Sequence, residues 1–101
     1  MQYSVARNGQ AVTVALQGQL NFAANETFAV LLRDLDGVGK ARVIFDLSAL
    51  SHIDSVGLGL LYIAQEELDR GGAVMSLAKP QSGVKRLLEL TEAGDTFEIT
   101  A

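Results

Sequence analysis

Three polar side chains lie close together in this sequence and could do chemistry: His52, Asp54 and Ser55. A histidine, a carboxylate and a hydroxyl are the groups that nucleophilic catalysis combines. However, the Gly-x-Ser-x-Gly pattern that exposes a catalytic serine is absent, since Ile53 and Asp54 precede Ser55. We therefore predict no catalytic residue and no enzyme activity, and we interpret His52 as a loop residue with a polar tip.

Metal and nucleotide sites are not predicted either. His52 is the single histidine and the chain has no cysteine, so the usual zinc spacings are absent. Gly57 and Gly59 offer two glycines of a dinucleotide fingerprint, but the full spacing and a P-loop lysine are missing. We expect no metal and no cofactor.

The Asp54-Ser55 pair lies where a loop becomes a helix. The apolar run Arg42–Leu47 predicts a buried central strand covered on both faces, and a helical pattern follows Ser55 to about Arg70. Aspartate and serine are preferred helix N-caps, so capping alone is one interpretation. The other is a switch: a phosphate on Ser55 would add about −1.5 to −2 charges, which a helix N-terminus tolerates but an apolar or acidic partner would not.

A docking patch is predicted beside this turn. The inward face of the second helix is predicted to consist of Gly57, Leu60, Leu61, Ala64 and Leu68. Leu58 and Tyr62 are one turn apart and lie off that face, so they are either exposed or packed under a loop. Taking them as exposed, we predict that the partner-binding residues are Asp54, Ser55, Val56, Gly57, Leu58 and Tyr62. Asp46 would add negative charge if the end of its strand were close.

Length and charge limit the class of protein. A chain of 101 residues is one domain, here residues 1–101, with enough apolar residues for a core. The net charge of −4 argues against nucleic acid and anionic membrane surfaces as partners. The N-terminus does not resemble a signal peptide, and no apolar run approaches the ~20 residues that span a bilayer. We expect a cytoplasmic protein without membrane insertion.

The order of predicted elements is β-β-α-β-α-β-α with a short terminal strand. Asn8-Gly9 predicts a hairpin between a strand at residues 3–6 and one at residues 11–16, which Gly18 ends. Asn21 is predicted to cap the first helix. Strands at residues 73–78 and 97–99 enclose a third helix that begins near Ser82. This order predicts an α/β layered sandwich: a mixed, mainly parallel sheet with an N-terminal hairpin and helices packed against it.

The chain resembles the STAS domain (sulfate transporter and anti-sigma factor antagonist) over nearly its whole length. The segments that carry the resemblance are 43–47 and 53–61, with support from 16–20, 71–72 and 84–99. The resemblance implies that Ser55 matches the serine that is phosphorylated in stand-alone members, where the modifying enzyme is an anti-sigma factor that is also a serine kinase. The unphosphorylated form binds that kinase and frees a sigma factor, and a serine/threonine phosphatase removes the phosphate from phospho-Ser55. Asp54 matches an acidic neighbour that supports recognition.

Three departures from the family pattern stand out. Many antagonists have aspartate where this chain has Asn21. A second hydroxyl residue often follows the serine, and here the residue is Val56. Many relatives continue into a final helix where this sequence ends shortly after Ile99.

Two other hypotheses remain open from the sequence. The domain could be a non-phosphorylated regulatory subunit on the ATPase of an ABC lipid-transport system, with Ser55 acting through its hydroxyl or as a cap. It could also be a component of a larger sensory assembly of such domains. Weak self-association is compatible with each hypothesis.

Overall fold

The computed structural model describes all residues, 1–101. Five strands are formed by Gln2–Asn8 (β1), Ala11–Leu20 (β2), Arg42–Ile53 (β3), Val74–Ala78 (β4) and Glu98–Thr100 (β5). Three helices are formed by Asn25–Asp34 (α1), Ser55–Arg70 (α2) and Ser82–Leu90 (α3), and short 3₁₀ turns by Phe22–Ala24 and Ala93–Asp95. The predicted order of elements is confirmed. No helix has both the length and the apolar character needed to cross a membrane.

The five strands form one sheet in the order β1-β2-β3-β4-β5. β1 and β2 are antiparallel, and every other neighbouring pair is parallel. Asn8 pairs with Ala11, so the hairpin turn is Gly9-Gln10, and Gly9 has the positive φ of +64° that the first position of a type II′ turn requires. The mixed, mainly parallel sheet with an N-terminal hairpin is therefore confirmed.

The apolar core lies on one face of the sheet. Each helix joins two neighbouring parallel strands in the same direction, and right-handed crossovers of this kind place all three helices on the same side. Alternate strand residues such as Val14 and Phe45 are fully buried beneath them. The expectation that β3 is covered on both faces is wrong, because Ile44 and Asp46 are only half-buried on the face that carries no helix.

Three strands are longer than the sequence predicted: β1 spans Gln2–Asn8 instead of residues 3–6, and β2 and β3 extend further still. Gly18 does not end β2: it sits at a register irregularity with a φ of +90°, and the strand continues to Leu20. β3 continues past Leu47 to Ile53 because its polar residues still pair with β2, where the Ser51 hydroxyl donates to the Gly18 carbonyl oxygen at 2.9 Å. The paired ends of β2 and β3 therefore extend beyond the end of β4, and α2 begins directly after them.

Candidate functional site

Asp54 is the N-cap of α2. Its backbone is extended, with φ −120° and ψ −174°, and its carboxylate accepts a hydrogen bond from the Gly57 N–H at 2.8 Å. The Asp54 carbonyl accepts the first intrahelical bond, from the Leu58 N–H at 2.9 Å. The Asp54 carboxylate therefore satisfies one of the backbone donors, the Gly57 N–H, that a helix N-terminus would otherwise leave without a partner.

Ser55 is the first residue of α2, and its side chain is free. It is exposed, and its hydroxyl makes no hydrogen bond within the chain. The backbone N–H groups of Ser55 and Val56 likewise have no acceptor in the chain. Because Asp54 is the cap, the hydroxyl of Ser55 is not needed to begin the helix. The serine presents an unused hydroxyl beside two unpaired N–H donors at the positive end of the helix dipole.

Gly57 joins the start of α2 to the end of β2. A Cβ on Gly57 would stand 1.9 Å from the backbone oxygen of Leu20, far inside contact distance. The same Leu20 oxygen accepts from the Asp54 N–H at 3.4 Å. Gly57 is buried, and this backbone contact within the chain explains why a glycine is required at position 57. The expectation that Gly57 contributes exposed partner surface is therefore wrong.

The expected exposed pair Leu58–Tyr62 is not present. Leu58 belongs to the hydrophobic core and is 7 % exposed. Tyr62 is half-buried, with its ring centroid 4.9 Å from that of Phe97. The expectation failed because α2 is buried along a second stripe beside the predicted one: Leu58 belongs to the core, and Tyr62 packs on Phe97, which precedes β5. Helical periodicity alone cannot distinguish this second stripe from an exposed face.

A different set of apolar side chains is exposed next to Ser55. Val56 and Ile63, two turns apart on α2, are 44 % and 48 % exposed, and Gly59 lies between them with open space around it. Phe22, which is 76 % exposed, belongs to the 3₁₀ turn that packs beside α2. We call Phe22, Val56, Gly59 and Ile63 the α2 apolar surface. Phe22 and Ile63 were not predicted from the sequence, although a lone aromatic residue directly after a helix-capping asparagine was a usable signal for Phe22.

The other polar residues singled out from the sequence lie in different places. His52 is an exposed residue at the end of β3 rather than in a loop. Asp46 is eight residues before Asp54 along an extended strand, about 25 Å away, so it adds no charge at Ser55. The pKa of the Asp46 carboxyl is lowered because it accepts a hydrogen bond from the Ser48 backbone N–H. Asn21 caps the 3₁₀ turn by accepting from the Ala23 N–H at 3.0 Å.

A cleft large enough for a small molecule lies away from this site. It has a volume of about 930 Å³ and lies between α3 and β5, and its lining includes Lys85 and Ile99 but no residue of α2. No group of three or more histidine, cysteine, aspartate or glutamate side chains could hold a metal ion. The exposed features around Ser55 are a hydroxyl, two backbone donors and apolar side chains, an arrangement suited to contact with another protein.

A family model for the STAS domain matches residues 2–101. A STAS-domain-containing protein of Pseudomonas aeruginosa is 26 % identical over 93 residues, which are 92 % of this chain and 91 % of that protein.

Solved structures share the fold. A candidate anti-sigma factor antagonist from Thermotoga maritima superposes with a TM-score of 0.85 at 22 % identity, over 98 % of this chain and 86 % of that one. The anti-sigma factor antagonist SpoIIAA in its unphosphorylated form gives a TM-score of 0.72 at 18 % identity, over 99 % and 88 % of the two chains. The phosphorylated form of SpoIIAA, from Bacillus, gives 0.71 at 19 % identity, over 99 % and 92 %.

Proposed function

Because the chain belongs to the STAS domain family, we propose that it is an anti-sigma factor antagonist that is switched by phosphorylation of Ser55. In its unphosphorylated form it binds an anti-sigma factor that is also a serine kinase, and a sigma factor is released. The observation that carries this proposal is the free hydroxyl of Ser55, exposed at a helix start that Asp54 already caps. SpoIIAA, which has the same fold, has been solved in phosphorylated and unphosphorylated forms.

The phosphoryl transfer needs only one group of this chain, the hydroxyl of Ser55. The Ser55 oxygen attacks the γ-phosphorus of ATP, the bond from that phosphorus to the β-phosphate bridging oxygen breaks, and ADP leaves. The hydroxyl proton passes to a base on the kinase, and the chain itself supplies only the nucleophile. A serine/threonine phosphatase hydrolyses the phosphoserine and restores the hydroxyl.

The new phosphate would remain compatible with the fold. The unpaired N–H groups of Ser55 and Val56 can donate to its oxygens, and the helix dipole favours negative charge at this end. The Asp54 carboxylate opposes it by like-charge repulsion. These effects offset one another, so the phosphate acts on the partner rather than on the domain's own stability.

The α2 apolar surface supplies the contact area next to the switch. Val56 and Ile63 are about 10 Å apart along the helix, with Gly59 between them leaving room for a partner's side chain. A phosphate of about −2 charge at the edge of this surface would have to lose water when the partner docks, and that cost weakens the complex. Partner binding by Asp54, Ser55 and Val56 is thus retained in the proposal, and Leu58 is replaced by Ile63 and Phe22.

The proposal is tested by measuring binding to the host's candidate anti-sigma kinases with isothermal titration calorimetry. We expect the wild type to bind one of them and Ser55→Asp to bind at least about tenfold more weakly, since the added charge mimics part of the phosphate. Ile63→Ser should weaken binding, whereas Leu90→Ser, at an apolar and even more exposed position on α3, should not. Equal binding by wild type and Ser55→Asp would contradict the switch.

A further inference from the structure

We propose that the helix-free face of the sheet is a self-complementary surface through which two copies of this chain form a weak, two-fold symmetric dimer. This surface is distinct from the Ser55 site. Its central part consists of three rows of paired residues, one row across β2, β3 and β4 at each level: Ala11, Arg42 and Val74; Thr13, Ile44 and Ser76; Ala15, Asp46 and Ala78.

Charge is placed symmetrically on this face. Arg42 and Asp46 are on the same side of β3, about 13 Å apart, with Ile44 midway between them. Suppose that a second copy lies face to face with its β3 antiparallel, about a two-fold axis that passes over Ile44. Arg42 of each copy then meets Asp46 of the other, so that the interface contains the same ion pair twice.

The neighbouring strands fit the same symmetry. Under this axis β2 lies over the other β2, and the sequence Ala11, Thr13, Ala15 reads the same in both directions. β4 lies over the other β4, where Ser76 meets Ser76 of the second copy and Val74 lies over Ala78, which is only 9 % exposed. The residues are small, so two sheets can approach closely without moving any helix.

Electrostatic details decide how strong this dimer is. One oxygen of Asp46 accepts from the Ser48 N–H, which leaves the other for Arg42 of the second copy. Lys79 also contributes positive charge near Asp46 and competes with that arginine. Glu98 of β5 lies in the same row as Ser76, so the axis brings two like charges towards each other at the rim. This rim repulsion opposes the two central ion pairs.

The area available also limits affinity. Five strands over five residues present roughly 400 Å² on each copy, about half of what each side of a standard stable interface buries. The three central rows have no tryptophan, tyrosine or phenylalanine to anchor a foreign partner, and Arg42 is the only cation within them. The small area of this face and the arrangement of its charges therefore favour a weak, concentration-dependent dimer of this chain.

Sedimentation velocity of the full chain over a range of protein concentrations tests the proposal. We expect a monomer–dimer equilibrium whose dissociation constant rises about tenfold in Arg42→Asp. In this variant the new aspartate of each copy would face Asp46 of the other, so the interface would contain two pairs of like charges. The combined change Arg42→Asp with Asp46→Arg should restore dimerisation, and Glu98→Gln should tighten it. Arg86→Asp, an identical charge change at an exposed position on α3, is the matched control and should leave the equilibrium unchanged.

A second measurement locates the interface, because the chain contains no cysteine. Ser76→Cys should be joined to its own copy by a short bis-maleimide cross-linker, whereas Glu66→Cys, exposed on α2, should not. A wild type that remains monomeric at every concentration would overturn the proposal. So would a dimer that is unaffected by Arg42→Asp.

Discussion

The backbone oxygen of Leu20 occupies the space that a side chain on Gly57 would need, 1.9 Å from the ideal Cβ position. The end of β2 and the first turn of α2 are therefore in direct backbone contact. This contact fixes where α2 begins, and with it the position of Ser55, two residues earlier. The precise placement of the hydroxyl depends on a glycine that is itself buried.

The two glycines of α2 should respond oppositely to alanine. Gly57→Ala should lower the free energy of unfolding by about 3 kcal/mol, since backbone must move to admit the methyl group. Gly59→Ala should raise it by about 0.5–1 kcal/mol, because nothing lies within 4 Å of the added atom and alanine favours the helix. Urea unfolding followed by circular dichroism measures both. Equal effects of the two substitutions would contradict the contact with Leu20.

The cap formed by Asp54 can be separated from its charge. Asp54→Ala should lower the free energy of unfolding by about 1 kcal/mol, because the Gly57 N–H loses its acceptor. Asp54→Asn keeps an acceptor oxygen at the same place and should retain most of that stability. Urea unfolding distinguishes the two variants. If Asn destabilised the domain as much as Ala, the negative charge rather than the capping hydrogen bond would be the stabilising feature.

A hydrogen bond from Tyr3 links β1 to α1 and should make the free energy of unfolding depend on pH in the alkaline range. Its hydroxyl donates to the Asp34 carboxylate, and this hydrogen bond raises the pKa of Tyr3 above its ordinary value of 10.0. The unfolded state therefore loses this proton first as pH rises. The stabilising effect is complete below pH 10 and is lost as pH rises through the folded-state pKa. Tyr3→Phe should show a shallower fall in melting temperature above pH 10, and an identical profile would contradict the contact.

Asp46 should make the free energy of unfolding depend on pH in the acid range. The Ser48 N–H, and then the charge of Lys79, lower the pKa of its carboxyl below 3.8 in the folded state. The unfolded state takes up the proton first, so this contribution is present above that value and is lost as pH falls through the lower folded-state pKa. Asp46→Asn should therefore flatten the loss of stability below pH 4. Thermal unfolding at a series of pH values checks this, with Asp69→Asn, exposed on α2, as the control.

Much of the fold could be predicted from the sequence because its signals are local. Asn8-Gly9 predicted the hairpin, and Asp54 before an apolar helical pattern predicted the start of α2. The extension of β3 could not be predicted, since it contains polar residues and pairs with β2 through two register shifts, at which Ser48 and Ser51 have no partner residue. The bare sheet face follows from the order of the strands, which a pattern within one strand does not contain.

The candidate site was predicted in part, for a related reason. The helix start and its serine are local features. The contact of Tyr62 with Phe97 depends on a segment more than 30 residues later in the chain, and Leu58 is buried in the core. The exposure of Phe22 and Ile63 depends in turn on how the turn before α1 packs beside α2. Tertiary contacts therefore determine which side of α2 is exposed to solvent.

The most direct test of the central claim is the intact mass of the protein after incubation with ATP and each candidate anti-sigma kinase of its host. We predict a gain of one phosphate that is absent in Ser55→Ala and kept in Ser51→Ala, whose wild-type hydroxyl is engaged with the Gly18 carbonyl. A gain that persists in Ser55→Ala, or no gain with any kinase, would contradict the switch. The second result would favour a non-phosphorylated role, such as assembly on a transporter ATPase.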